Sequence, residues 1–347
     1  LTVSDANEND VPAPRSGEAR AGRAAARAVD FPPVQNGVDY LGSVADHLSL
    51  GQADPRDGQG LNPRHLKYAV LHLQAAAEVL LKARLVQEHW SLVFKDPGIA
   101  KRDRFEAGDF DSCTTTGAIA RLRDIAGVTI GDKPAKSLAI LAKWRNRLQH
   151  YGLTAPAPAV EVTAAQVLDF LVAFVHDELL PALPGPEAAA IAADLESVGT
   201  DVRCIRSYMD VRLKRLADEL KDAADRTVMC PVCDQWALVL GNPAIPLDCR
   251  FCHTTWPNAL QALEQCKKDL LGHVTVQECP ECTQNALVVE GVGTAAAPEA
   301  HHSLCYCCGT DFGAIVQCGD CWDFFVADPV DDHGLCGDCL SGAVDRV

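Results

Sequence analysis

The sequence predicts a mainly α chain: an N-terminal up-and-down helical bundle, a helical connector, then three small β units that each close around four cysteines. Three observations predict this. Between residues 36 and 185, leucine, isoleucine and valine recur every three or four residues, the period of a helix that buries one face. Residues 186–226 continue that period through Ile191, Leu195, Val198, Val202, Leu213, Leu216 and Leu220. From Met229 onward, Cys-x-x-Cys occurs six times in three matched sets. At 347 residues the chain exceeds one ordinary core, so several domains are expected. The divisions are a disordered tail (1–35), the bundle (36–185), the connector (186–226) and three ribbons (227–265, 266–314 and 315–347).

Each element has a local reason. The tail is rich in Ala, Arg, Pro and acidic residues, with almost no large apolar residue before Phe31. Leu41, Val44, Ala45 and Leu48 mark a first helix, and Gly51 to Gly60 a loop. Asn62-Pro63 starts a long second helix, with Asn as cap and Pro in the first turn. Leu66, Val70, Leu73, Ala77 and Leu80 form its buried stripe, and it is expected to run to about Phe94. Residues 96–113 read as irregular, anchored by Phe105 and Phe110. Thr114 to Thr116 cap a third helix, and Asp132 and Pro134 open a fourth. Ala155-Pro-Ala-Pro reads as a stiff connector, and Thr163 as the cap of a fifth helix. The 186–226 segment is expected to break at Gly199, either as an arm or as a helix pair packed on the bundle or on a second copy.

The cysteines carry the clearest chemistry. Cys230 and Cys233 are matched with Cys249 and Cys252, Cys279 and Cys282 with Cys305 and Cys308, and Cys318 and Cys321 with Cys336 and Cys339. A Cys-x-x-Cys turn offers two thiolates to one ion, and two such turns complete a tetrahedron, so three structural Zn²⁺ sites are expected. A disulfide or redox cluster is the competing reading. Ala237–Leu240, Ala286–Val289 and Phe324–Val326 are β-prone stretches from which a hairpin is expected between the pairs. Cys307 is a possible replacement ligand, Cys113, Cys204 and Cys266 read as small buried residues, and His253, His301, His302 and His333 read as bystanders. Four-cysteine sites leave no position for substrate, so no catalysis is assigned to the metal.

Charge limits the partners. The formal net charge is −16, unevenly placed. Residues 36–185 carry 16 Lys/Arg against 17 Asp/Glu, a net of −1, whereas residues 227–347 carry 4 against 16, a net of −12. Phosphate binding needs clustered cations, so the ribbons are expected to meet a protein partner rather than nucleic acid. The chain as given starts with polar residues and no apolar signal-like run, and its most apolar stretch, Val167 to Val175, is short and holds Asp169. A cytoplasmic protein with no membrane span and reduced thiols is expected.

The remaining motif lies in LAKWRNRLQHYG, Leu141 to Gly152: Arg145, Asn146, three residues, then His150. Asn146 and His150 are one helical turn apart, whereas Arg145 and His150 diverge by about 140°. Six cations (Arg121, Arg123, Lys136, Lys143, Arg145 and Arg147) are expected to form a basic lip, and Glu78 to pair with Lys82 or reach Arg145. Basic residues also suit a helix C-terminus, where His150 would cap the last carbonyls. A helical bundle with Arg-Asn-x-x-x-His late in a helix, preceded by a long helix such as Lys67 to Phe94, resembles the HEPN family over roughly residues 37–183. The resemblance implies a homodimer through the bundle, whose paired motifs form one metal-independent ribonuclease site. His150 would act as general acid/base, Arg145 would hold the phosphate, and Asn146 would orient His150 or the phosphate. RNA substrate and a toxin or defence role are implied by the same resemblance. The alternative is a non-catalytic dimeric adaptor whose ribbons recruit a protein.

Overall fold

The computed structural model describes residues 30–51, 62–241, 246–313, 315–322, 324–326 and 334–344. The predicted tail up to residue 29, residues 52–60 of the first loop, and His333 lie outside them. The chain divides into Leu1–Pro32 and Pro33–Val347, and every element below belongs to the second unit.

The helical half contains α1 (Pro33–Gly51), α2 (Pro63–Glu88), α3 (Arg102–Ala107), α4 (Thr115–Asp124), α5 (Asp132–His150) and α6 (Ala157–Phe174). The side chain of Asn62 accepts the Arg64 N–H, and Pro63 sits in the first turn, where a missing N–H costs nothing. Thr114 caps α4 by accepting the Gly117 N–H. Helix α2 is the centre: α1, α4, α5 and α6 all pack on it, and Leu66, Val70, Leu73, Ala77, Leu80 and Leu81 are buried there. Phe94 stacks on Phe110 at 4.2 Å, with Phe105 beside them, so the 96–113 segment is anchored as expected.

Three predicted boundaries move. Helix α2 stops at Glu88 because His89 is extended (φ −163°) and accepts the Ser91 N–H, opening a separate 3₁₀ turn at Trp90–Val93. Helix α6 starts at Ala157, six residues before Thr163, because Pro156 and Pro158 both fall where a helix needs no N–H. Thr163 lies inside that helix and donates back to the Ala159 carbonyl. The 186–226 segment breaks after Val202, giving α7 (Gly185–Val202) and α8 (Arg206–Lys221). Gly199 is helical instead, and as a glycine it lets α7 come close to the first ribbon, where a Cβ would lie 3.1 Å from the Cys252 carbonyl oxygen. The pair packs on the N-terminal helices, α7 against α1 and α8 against α6.

The run Ala157–Ala182 is long and apolar enough to cross a membrane by composition, further than the Val167–Val175 stretch suggests. Its apolarity has an internal use. Val160, Val167, Leu168, Leu171 and Val172 are buried, and α2, α5 and α8 pack against α6.

Among the described residues the β units are four small sheets. Strand β1 (Thr227–Met229) pairs antiparallel with β2 (Trp236–Val239), and β3 (Leu247–Asp248) with β4 (Thr255–Trp256). Helix α9 (Ala259–Cys266) follows, then a three-stranded sheet of β5 (Thr275–Glu278), β6 (Asn285–Val292) and β7 (His302–Cys305). The pair β8 (Ile315–Gln317) and β9 (Phe324–Val326) precedes α10 (Gly337–Val344). The predicted β-prone stretches are strands, and in the second ribbon the expected hairpin between the cysteine pairs forms from β6 and β7. The other hairpins of the described residues are built around single Cys-x-x-Cys turns, between β1 and β2, β3 and β4, β5 and β6, and β8 and β9. The first two ribbons are tied together: the N–H groups of Ala295 and Ala296 donate to the carbonyls of Thr227 (2.8 Å) and Ala224 (3.0 Å). One continuous apolar core runs from the bundle into the ribbons.

Candidate functional site

Five of the six Cys-x-x-Cys turns share one backbone device. The residue after the second cysteine is left-handed: Asp234 (φ 57°), His253 (60°), Thr283 (58°), Gly309 (74°) and Trp322 (66°). Its N–H returns to the carbonyl of the first cysteine, at 3.0, 2.9, 2.9, 2.8 and 3.0 Å in that order. Four of these five residues are not glycine, so the turn accepts a conformation that L-residues adopt at some cost. The sixth pair, Cys336 and Cys339, flanks the start of α10, where Leu340 N–H bonds the Cys336 carbonyl in helical fashion.

These turns bring the twelve predicted cysteines into three groups of four that can each hold a metal ion. Within the groups, Cys230–Cys252 and Cys233–Cys249 sulfurs lie 3.8 and 3.7 Å apart. Cys279–Cys308 and Cys282–Cys305 are both 3.7 Å apart, and Cys321–Cys336 3.6 Å. A disulfide needs about 2.05 Å. A tetrahedron with metal–sulfur bonds of about 2.3 Å has edges of about 3.8 Å. The sulfurs are therefore spaced for one ion, not for oxidation. A second layer supports them: the Thr254 hydroxyl lies 3.2 Å from Cys252 Sγ, and the Thr310 hydroxyl 3.3 Å from Cys308 Sγ. Backbone N–H groups of Val232, Cys307 and Cys336 point at the sulfurs of Cys230, Cys305 and Cys318.

Crowding makes the first group depend on a cation. Hydrogen bonds among its thiols, led by the one to Cys230, push Cys233 and Cys249 well up and hold Cys252 well down. Four thiolates coexist there only when a positive ion offsets them. Cys307 is buried outside the second group. His302 is paired with Asp311 at 2.6 Å, and neither it nor His253 joins a group. Cys113 and Cys266 are buried as expected, whereas Cys204 is exposed because it falls in the turn between α7 and α8.

Behind the first group lies a polar network that sequence reading missed. Arg212 of α8 is fully buried and reaches Asp169 of α6 (2.8 Å) as well as the carbonyls of Phe251 (2.7 Å) and Arg250 (2.8 Å). Arg215 adds a second cation on Asp169 at 2.7 Å. His253, stacked on His176 at 4.1 Å, touches the same guanidinium. Burial, then the nearby Arg212, lowers the His253 pKa to about 2, and burial raises Tyr208 to about 12. The network fastens the first ribbon to the bundle. Its one sequence signal is Asp169, a lone charge in an apolar helical run.

The motif of α5 is arranged differently. Arg145 is half-buried, while Asn146 and His150 are exposed. The Arg145 guanidinium turns towards Asn146, donating from Nη1 to Oδ1 at 3.0 Å. The Asn146 oxygen is thereby engaged by Arg145. The long arginine side chain curls to the face that carries His150 one turn further on. Among the described residues nothing hydrogen-bonds the His150 ring, and its ring neighbour is Tyr151 at 6.0 Å. The helix end is closed without it. The N–H groups of Tyr151 and Gly152 both return to the Arg147 carbonyl, at 2.8 and 2.6 Å, with Gly152 left-handed at φ 86°. His150 is thus not the cap.

The basic lip is smaller than expected. Arg121 is spent on the carbonyls of Leu92, Phe94 and Lys95, and Arg123 on Asp124. Glu78 pairs with Lys82 at 3.7 Å and does not reach Arg145. No protein-family model, curated protein or solved structure matches this chain.

Proposed function

We propose that the end of α5 is a metal-independent ribonuclease site of the HEPN kind, completed by a second copy of the chain, and that the three four-cysteine groups hold structural zinc. The observation that carries the first part is the set of groups the fold leaves unused. Arg145 is turned onto Asn146, His150 is exposed and has no hydrogen-bonding partner among the described residues, and backbone amides already close the helix. Polar groups kept out of the packing and the caps are available for chemistry. Sulfur spacing and an all-thiolate donor set support zinc.

Imidazole exchanges protons near neutral pH, and a permanently charged guanidinium suits a phosphate. In the proposed reaction His150 takes the proton of a ribose 2′-OH as its oxygen attacks the adjacent phosphorus. Arg145 holds the non-bridging oxygens as charge builds on them. The P–O5′ bond breaks, the leaving oxygen receives a proton, and the products are a 2′,3′-cyclic phosphate and a 5′-OH. Arg145 and His150 leave α5 about 140° apart, and the turn of Arg145 onto Asn146 draws its guanidinium towards the His150 face, so the second copy is proposed on the HEPN resemblance.

Trp322, 70% exposed beside the third cysteine group, favours a second reading, a dimeric adaptor whose acidic ribbons dock a protein. Cleavage of total RNA in EDTA by the parent and by His150→Ala tests the first reading. Cutting by the parent alone supports it, and equal cutting by both, or by neither, overturns it in favour of the adaptor.

A further inference from the structure

We infer that the exposed face of α5 is a track for single-stranded RNA, with Lys136, Lys143 and Arg147 on its phosphates and Tyr151 stacked on a base next to the bond that is cut. The inference rests on the ribonuclease reading of His150 and adds the binding surface that leads to it. On a helix with 100° per residue, Lys136, Lys143, Arg147 and His150 fall within an arc of about 60°, along about 21 Å of axis. All four are exposed. Among the described residues no acidic group pairs with any of them, although Arg84, Arg102, Arg123, Arg215 and Arg250 all have acidic partners. In a chain of net charge −16, an unpaired row of cations on one helix is a local site for phosphates.

Tyr151 ends the row. It is 91% exposed, the extreme among the exposed large apolar side chains, and its ring lies 6.0 Å from that of His150. The left-handed Gly152 behind it turns the chain away and leaves the ring without cover. Among the described residues its one ring neighbour is His150. A bare aromatic beside a row of cations is the arrangement that stacks an unpaired base while its backbone is held by charge. In a duplex the bases are already stacked on one another, so the occupant is a single strand.

The test uses the full-length, zinc-loaded chain carrying His150→Ala, which keeps the RNA intact, and a labelled single-stranded oligoribonucleotide. Lys143→Glu/Arg147→Glu is expected to weaken binding at least tenfold. It should also flatten the log affinity against log salt slope by about 1.4, two contacts at about 0.7 each. Tyr151→Ala is expected to weaken binding by about 5- to 150-fold with the salt slope kept, and Tyr151→Phe to restore it. Lys101→Glu, exposed and outside α5, serves as the control. Binding that is absent, changes less than twofold in the track variants, or falls equally with the control overturns the inference. Tight, track-dependent binding with no cleavage by the parent sinks the ribonuclease reading and leaves the track. Parental cleavage undiminished by the track variants does the reverse.

Discussion

Replacing Asp169 by alanine removes the one carboxylate that, among the described residues, bonds the fully buried Arg212 guanidinium. Arg212 would keep its bonds to the Phe251 and Arg250 carbonyls but lose its counter-charge. Breaking one partner of a buried pair costs about 3–5 kcal/mol, because the other charge stays buried and uncompensated. The Arg215 contribution is small, since that side chain is 45% exposed, and Arg215→Ala is expected to cost at most about 1 kcal/mol. Asp169→Asn keeps oxygen and shape but not charge, and should fall between, at about 1.5–3 kcal/mol. The double variant Asp169→Ala/Arg212→Met removes both charges and should be clearly less destabilised than the sum of the two single changes. Urea denaturation at saturating zinc measures these four and Arg212→Met alone, which completes the cycle. Hydrogen exchange at Arg250 to His253 locates the loss, because those amides belong to the turn that Arg212 holds. An Asp169→Ala variant within 1 kcal/mol of the parent, or strict additivity in the double variant, would refute the claim that this network fastens the ribbon to the bundle.

Cys249→Ser should lower bound metal from three ions per chain to two, whereas Cys307→Ser should keep three; elemental analysis of the purified proteins decides, and equal values would contradict the assignment of ligands. Gly199→Val should destabilise by about 1–3 kcal/mol, because the new side chain meets the Cys252 carbonyl, and a variant as stable as the parent in thermal melts would show that α7 and the ribbon yield there. Burial, then His72 and His65, lowers the pKa of His47 below its ordinary 6.5. The unfolded chain therefore binds this proton first, and the His47 contribution to stability is lost as pH falls below about 6.5. His47→Gln should flatten that part of the stability–pH curve, and an unchanged slope would remove His47 as its source.

The metal ligands were legible because each pair of thiolates is brought together by a turn of four residues, so the geometry is written in local spacing. The caps at Asn62 and Thr114 were legible for the same reason. Helix ends were less so. Two prolines near 157 look like a connector, yet both fit a helix's first turn, and the extended backbone of His89 leaves no mark in the hydrophobic period. Gly199 looked like a break because a sequence does not show which backbone will approach it. The Asp169–Arg212 pair joins residues 43 apart, and an arginine among the charges of α8 carries no sign that it will be buried. At the end of α5 the residue types were readable. The turn of Arg145 onto Asn146 and the bareness of Tyr151 needed the fold.

The central claim, that the end of α5 cuts RNA through the ribose 2′-OH, is tested most directly by one modified substrate. A single-stranded RNA carrying 2′-deoxyribose on the 5′ side of one cleaved bond is incubated with the zinc-loaded chain and with His150→Ala. The account predicts that the parent spares that bond, cuts its neighbours to leave 2′,3′-cyclic phosphates, and loses this activity with His150. Cutting at the deoxy position, 5′-phosphate ends, or no cutting by the parent would contradict it.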